Sequence, residues 1–161
     1  MSIRKLLARS ASSMSTWGLR HIARRPAANM PGKIALKLDP QIIAESMGKV
    51  TEGSIVVVGT NGKTTITNMI ADALERQGKT VACNRTGANL AYGVATTLLQ
   101  TKGSVEWGVF ESDELWLAHT LPQVQASYVL LLNLFRDQLD RCGEIDRVQD
   151  AIVQALSESP D

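Results

Sequence analysis

The sequence predicts an α/β fold in three layers around a parallel sheet. Two patterns carry that expectation: from residue 54 onward, short β-branched runs alternate with amphipathic helical stretches. The run Ser127–Leu132 is apolar without a break, as in strands near the centre of a parallel sheet. Composition agrees, with 161 residues, 44% hydrophobic and 20% charged, enough chain for one domain with a real core and too apolar for disorder. No apolar run approaches the roughly 18 residues that a membrane span needs.

Each element has its own signal. Ser54–Val58 reads as a buried strand, and Lys63 to Gln77 as a helix with Ile66, Met69, Ile70, Ala73 and Leu74 on one face and Gly78 as its stop. Thr80–Cys83 is a second strand. Asn89 to Thr101 reads as a helix interrupted by Gly93 and closed by Gly103. Val105–Glu111 is a third strand that runs into Glu111-Ser112-Asp113-Glu114, and Ser127–Leu132 is the fourth. Glu144–Ser157 closes the chain as an amphipathic helix through Ile145, Val148, Ile152 and Leu156.

The net charge of +1 hides an asymmetry. Residues 1–38 hold Arg4, Lys5, Arg9, Arg20, Arg24, Arg25, Lys33 and Lys37 and no acid, so the remainder is acidic. A boundary at 38 therefore divides a basic N-terminal arm, 1–38, from an acidic body, 39–161. Four serines and the apolar Leu6, Leu7, Trp17, Leu19 and Ile22 lie among the cations. That composition fits a transit peptide, a helix on a membrane surface or partner, or a basic helix packed on its own domain. Pro31-Gly32 reads as a turn. Cys83 and Cys142 form no CxxC pair, so neither a disulfide framework nor a cysteine zinc site is expected.

The most informative stretch is Ile55-Val56-Val57-Val58-Gly59-Thr60-Asn61-Gly62-Lys63-Thr64-Thr65. A hydrophobic strand enters a glycine turn, and Gly-Lys-Thr then opens a helix. Glycines let backbone N–H groups converge on phosphate oxygens, and a helix N-terminus adds favourable partial charge. Lys63 supplies a point charge for terminal phosphates, and the Thr64 hydroxyl suits Mg²⁺. The general pattern asks for glycine five residues before Gly62, where Val57 stands. Residues 59–65 are the expected nucleotide-binding segment, on a sheet of P-loop NTPase type.

The form Gly-Thr-Asn-Gly-Lys-Thr-Thr resembles the Mur ligase superfamily. Glu111-Ser112-Asp113-Glu114 is similar to that family's E-x-D-E segment, which implies that Glu111 binds Mg²⁺ together with Thr64. Asp113 and Glu114 read instead as a solvated acidic loop. Asn133 through Arg141 resembles the family's T-N-x-x-x-D-H-x-D-R block, with Leu132 in place of Thr and Gln138 in place of His. A neutral amide is a much poorer ligand for a divalent cation than imidazole or carboxylate, so Gln138 is expected to be a weak ligand for a second ion. Phe135-Arg136-Asp137-Gln138, the lead-in Pro31-Gly32-Lys33-Ile34-Ala35 and the segment Gly87-Ala88-Asn89 are similar to the MurT branch. The resemblance covers roughly residues 19–157.

The resemblance implies a partial central domain of an ATP-dependent carboxylate–amine ligase, with Lys63 and Glu111 as catalytic residues and ATP and Mg²⁺ as cofactors. It implies amidation of the D-glutamate α-carboxyl of lipid II through an acyl phosphate, with ammonia from a GatD-like glutaminase, in the bacterial cytoplasm. Lipid II at the inner leaflet makes a membrane-proximal arm the better reading of residues 1–25. Family members continue past the equivalent of Asp161, so the chain reads as a fragment inactive alone. A folylpolyglutamate-synthase-like ligase and a non-catalytic nucleotide-binding module are the alternatives.

Overall fold

The computed structural model describes residues 29–135 and 145–158, together with Leu7 and Ser10. Four strands, β1 (Val50–Val58), β2 (Val81–Cys83), β3 (Val105–Glu111) and β4 (Tyr128–Leu131), form one sheet in the order β2-β3-β1-β4. Every pairing is parallel. The helices are α1 (Met30–Leu38), α2 (Ile42–Met47), α3 (Lys63–Arg76), α4 (Ala91–Gln100), α5 (Leu117–Val124) and α6 (Ile145–Ser157). Helix α3 lies against β1, β2 and β3, whereas α1, α2, α4, α5 and α6 pack on one another and reach the sheet through α4 and α5. The three-layer α/β architecture expected from the alternation of elements is therefore present. Among the described residues no helix is long and apolar enough to cross a membrane.

The central strand explains its own position. Val56, Val57 and Val58 are fully buried, and β-branched side chains fit a pleated surface covered on both faces. Its first half, with Thr51 and Glu52, is exposed, and the register shifts between Val50 and Gly53. That polar half was not legible as strand. Val109, Phe110, Ala82, Val94, Leu98, Ile42, Ile43, Leu117 and Leu121 complete the buried core.

Three expectations are corrected. Pro31-Gly32 is no turn but the first turn of α1, where proline lacks the N–H that a helix start leaves unused. A Cβ on Gly32 would stand 1.9 Å from the Tyr92 carbonyl oxygen, and the Gly32 N–H donates to Thr96 Oγ1 at 2.9 Å. Glycine is there so that α1 can touch α4. Second, β4 lies at the sheet edge among the described residues, with Tyr128 62% and Leu131 47% exposed. Its apolar run suggested a strand covered on both faces. Third, α2 and α5 were not foreseen, since each is too short to show a helical period and α5 contains Pro122.

Residues 1–6, 8–9 and 11–28 of the basic arm lie outside the described residues, as do Arg136 through Glu144, which include Gln138 and Cys142. Cys83 is a free thiol, and burial pushes it up to about 12.

Candidate functional site

β1 delivers its chain to the C-terminal edge of the sheet, where the loop must turn sharply into α3. Gly59 takes φ +142° and Gly62 takes φ +87°, both in the region that side chains avoid. A Cβ on Gly59 would also lie 3.0 Å from both the N and O of Asn133. Gly62 is the N-cap residue of α3, so Lys63, Thr64 and Thr65 form its first turn and offer the unpaired N–H groups of a helix start.

The loop is braced by the segment after β4. Thr60 N–H donates to the Asn133 carbonyl at 2.9 Å, and Asn61 N–H donates to Asn133 Oδ1 at 3.0 Å. Asn133 Nδ2 returns a bond to the Asn61 carbonyl at 3.0 Å, and Phe135 N–H donates to Thr60 Oγ1 at 3.0 Å. These bonds take the N–H groups of Thr60 and Asn61. The helix start from Lys63 to Thr65 is thus the better placed part of the loop for an anion.

Lys63 bends back over its own loop. Its ammonium donates to the carbonyls of Gly59 and Thr60 and stands 3.6 Å from Glu114 Oε2. Glu114 is 7% exposed, which corrects the reading of a solvated acidic loop at that position. Asp113 has a structural task as well, since its Oδ1 accepts from Leu115 N–H at 3.1 Å at the start of a 3₁₀ turn, Glu114–Trp116.

Glu111 ends β3 directly opposite Val57 of β1 and is 1% exposed. Burial raises its pKa above the usual carboxylate value, while the Thr64 hydroxyl bonded to it and the nearby Lys63 charge act against that rise. Its Oε2 has no hydrogen-bond partner. A buried carboxylate oxygen without a partner, beside a threonine hydroxyl, is the donor set that Mg²⁺ prefers, so the residues present fit the ion. Thr60, Asn61, Gly62, Lys63, Thr64, Thr65, Gly87, Asn89 and Glu111 line one pocket of about 280 Å³. All candidate residues but Gly59 therefore face the same space, and Gly59 forms the turn beneath it. Among the described residues no group of three or more His, Cys, Asp or Glu could hold a metal, so any cation here depends on ligand oxygens as well.

Besides Glu114, further contributors escaped sequence reasoning. Asn133 was quoted within a motif but not as a brace for the loop. Gly87 has φ +76°, and a Cβ there would stand 3.3 Å from Thr64 Oγ1. Asn84, 3% exposed, bonds the main chain of Glu111 on both its N–H and its carbonyl. The only sequence signal for Asn84 is a polar residue at the end of a buried strand.

A central parallel strand, a glycine turn with Gly-Lys-Thr at a helix start, and a carboxylate at the neighbouring strand end define an α/β domain of the P-loop type. Comparison with known proteins narrows the class. Residues 57–161 match the Mur ligase middle domain. The chain is 36% identical over 163 residues to the lipid II isoglutaminyl synthase (glutamine-hydrolyzing) subunit MurT of Streptococcus pneumoniae, covering 99% of this chain and 36% of that protein. Its fold is similar to MurF from Acinetobacter baumannii, with TM-score 0.66 and 22% identity over 80% of this chain and 28% of that one. MurF ligase from Thermotoga maritima in complex with ADP gives TM-score 0.64 and 21% identity, covering 78% of this chain and 30% of that one. The chain belongs to the Mur ligase family, whose members are ATP-dependent ligases that form carbon–nitrogen bonds. It spans about a third of the length of the curated relatives it matches.

Proposed function

We propose that this chain provides the phosphate-loop and Mg²⁺ half of an ATP-dependent carboxylate–amine ligase of peptidoglycan synthesis. The reaction of the whole protein would amidate the D-glutamate α-carboxyl of lipid II to D-isoglutamine. The observation that carries the reading is Glu111: a buried carboxylate with one oxygen free, facing Thr64 and Lys63 in the loop pocket. The similarity to the pneumococcal MurT subunit over nearly the whole chain supports the choice of substrate.

The chemistry follows from charge. Transfer of a γ-phosphoryl group to a carboxylate brings two anions together, and the barrier falls when that charge is met by fixed donors. The N–H groups of the first turn of α3 bind phosphate oxygens. Lys63 exchanges its loop carbonyls for phosphate, which meets its charge more fully than two amide oxygens do. Mg²⁺, when bound, neutralises phosphate charge, and Thr64 and Glu111 are the residues that would hold it. The acyl phosphate formed on the substrate is then open to ammonia supplied by a GatD-like glutaminase. The reaction would run in the bacterial cytoplasm, where ATP is available, and the basic composition of residues 1–25 would suit a membrane surface. The unit 39–161 would be the catalytic body and 1–38 its arm.

Titration of the 161-residue chain with ATP and Mg²⁺ in a calorimeter tests the site, and binding that requires Mg²⁺ is the expected result. For the reaction, the chain alone with glutaminase, glutamine and lipid II should yield no isoglutamine, and restoring the C-terminal portion found in longer relatives should yield it. Nucleotide binding with no turnover in the restored protein would return the chain to a non-catalytic module.

A further inference from the structure

We propose that Asn84 is the positioning residue of the candidate Mg²⁺ site, acting through the main chain of Glu111. The inference rests on the reading of Glu111 as the metal carboxylate. It begins with a mismatch in strand length. β2 pairs with β3 only as far as Cys83 opposite Val109, so Glu111 extends past the end of its neighbour on that side. On the other side β1 still holds it, through the register Val57 to Glu111 and the Ser112 N–H to Val57 carbonyl bond at 2.9 Å.

Asn84 fills the missing half of the ladder with its side chain. Its Oδ1 accepts from Glu111 N–H at 2.9 Å, and its Nδ2 donates to the Glu111 carbonyl at 3.0 Å. A carboxamide carries the same donor and acceptor as a peptide group, so it can continue a sheet where the backbone has turned away. The second Nδ2 proton goes to the Ala88 carbonyl at 2.9 Å. The same amide therefore fixes the loop carrying Gly87, whose bare Cα leaves room beside Thr64 Oγ1 and Glu111 Oε1. A side chain 3% exposed with both amide protons used has no other rotamer to adopt without orphaning a buried group. Leucine could fill the volume, and aspartate could accept from Glu111, but neither can donate to the two carbonyls.

The test separates positioning from folding. ATP affinity of the 161-residue chain is measured by calorimetry with and without Mg²⁺, for the unmodified protein, Glu111→Gln, Asn84→Ala and Asn84→Asp. Outer partners of metal ligands change affinity by about 10- to 100-fold, so each Asn84 variant should lose about tenfold or more of the gain from Mg²⁺. Affinity for Mg²⁺-free ATP should stay within about twofold, because phosphate contacts lie on α3 and not on Asn84. Asn84→Asp keeps the shape and one bond and guards against a cavity effect in Asn84→Ala. Full Mg²⁺ gain in both variants, with Glu111→Gln impaired, overturns the role of Asn84 alone. Loss of the folded state in both, seen as absent cooperative melting, also overturns it by assigning Asn84 to folding. No Mg²⁺ gain in the unmodified chain overturns the metal reading itself.

Discussion

The C-terminal ends of β1 and β3 and the outer flank of β4 are built on opposite principles. At the former, backbone and side-chain groups interlock: Asn133 braces Thr60 and Asn61, Asn84 holds Glu111, and Lys63 is matched by two carbonyls and Glu114. At the latter, Tyr128, Leu131 and Phe135 are exposed apolar side chains, with the Trp107 ring stacked on Tyr128 at 6.4 Å between centroids. Among the described residues, the groups that interlock on the phosphate side lie between Gly59 and Phe135. β4 has the composition of an interior strand, and among the described residues it lies at the sheet edge with only Val129 packed on the core cluster.

The comparison can be broken most severely at Lys63. Lys63→Ala removes a charge-assisted contact worth about 1.5–3 kcal/mol, so ATP affinity should fall roughly ten- to a hundredfold while the fold persists. Unchanged affinity in calorimetry would show that the interlocked side is not a phosphate site. Next in size is Gly59→Ala, which combines a φ that side chains avoid with contact at 3.0 Å to Asn133. A loss of about 1–3 kcal/mol is expected, read as a lower melting temperature.

Glu111→Gln gives a smaller effect with a distinctive sign. Burial raises the folded-state pKa of Glu111 above its unfolded value, so ionising it at neutral pH works against the fold. Its contribution is fully present below the unfolded pKa and is lost as pH rises through the raised folded value. Without nucleotide, Glu111→Gln should therefore melt a few degrees higher at pH 7, and the gain should vanish in acid. Mg·ATP binding should move the opposite way, weaker in the variant and weaker in the unmodified chain as pH falls. Smallest of all is Leu131→Thr on the bare flank, which should shift stability by less than about 0.5 kcal/mol in thermal melting. A larger shift would mean that this face is covered in solution.

How much of this was legible depended on distance along the chain. The loop was a visible candidate because strand, glycine turn and Gly-Lys-Thr are contiguous, and Glu111 because Glu111-Ser112-Asp113-Glu114 resembles the family's segment. Asn84, Asn133 and Glu114 could not, because their partners lie far away in sequence and contact alone gives them their tasks. The helix α1 was hidden by the same Pro31-Gly32 pair that builds it: glycine there serves a close approach to α4, not a turn. The position of β4 in the sheet was misjudged for a different reason. Its side chains record how apolar the strand is, and nothing in them records what lies beside it.

The strand order also fixes a sequence of events in time. β1 comes first along the chain and lies between β3 and β4, so Val50 must wait for Val105, and Ile55 for Val109 on one side and Tyr128 on the other. Parallel pairings between remote segments form slowly, since the intervening loop must close before any contact rewards it. On a ribosome, the loop from Gly59 to Thr65 is made early but remains without its braces until Asn84, Glu111 and Asn133 have emerged. The nucleotide site is therefore complete in its braces only after Asn133 has been made, and a ligand can secure the finished fold but cannot guide its first steps.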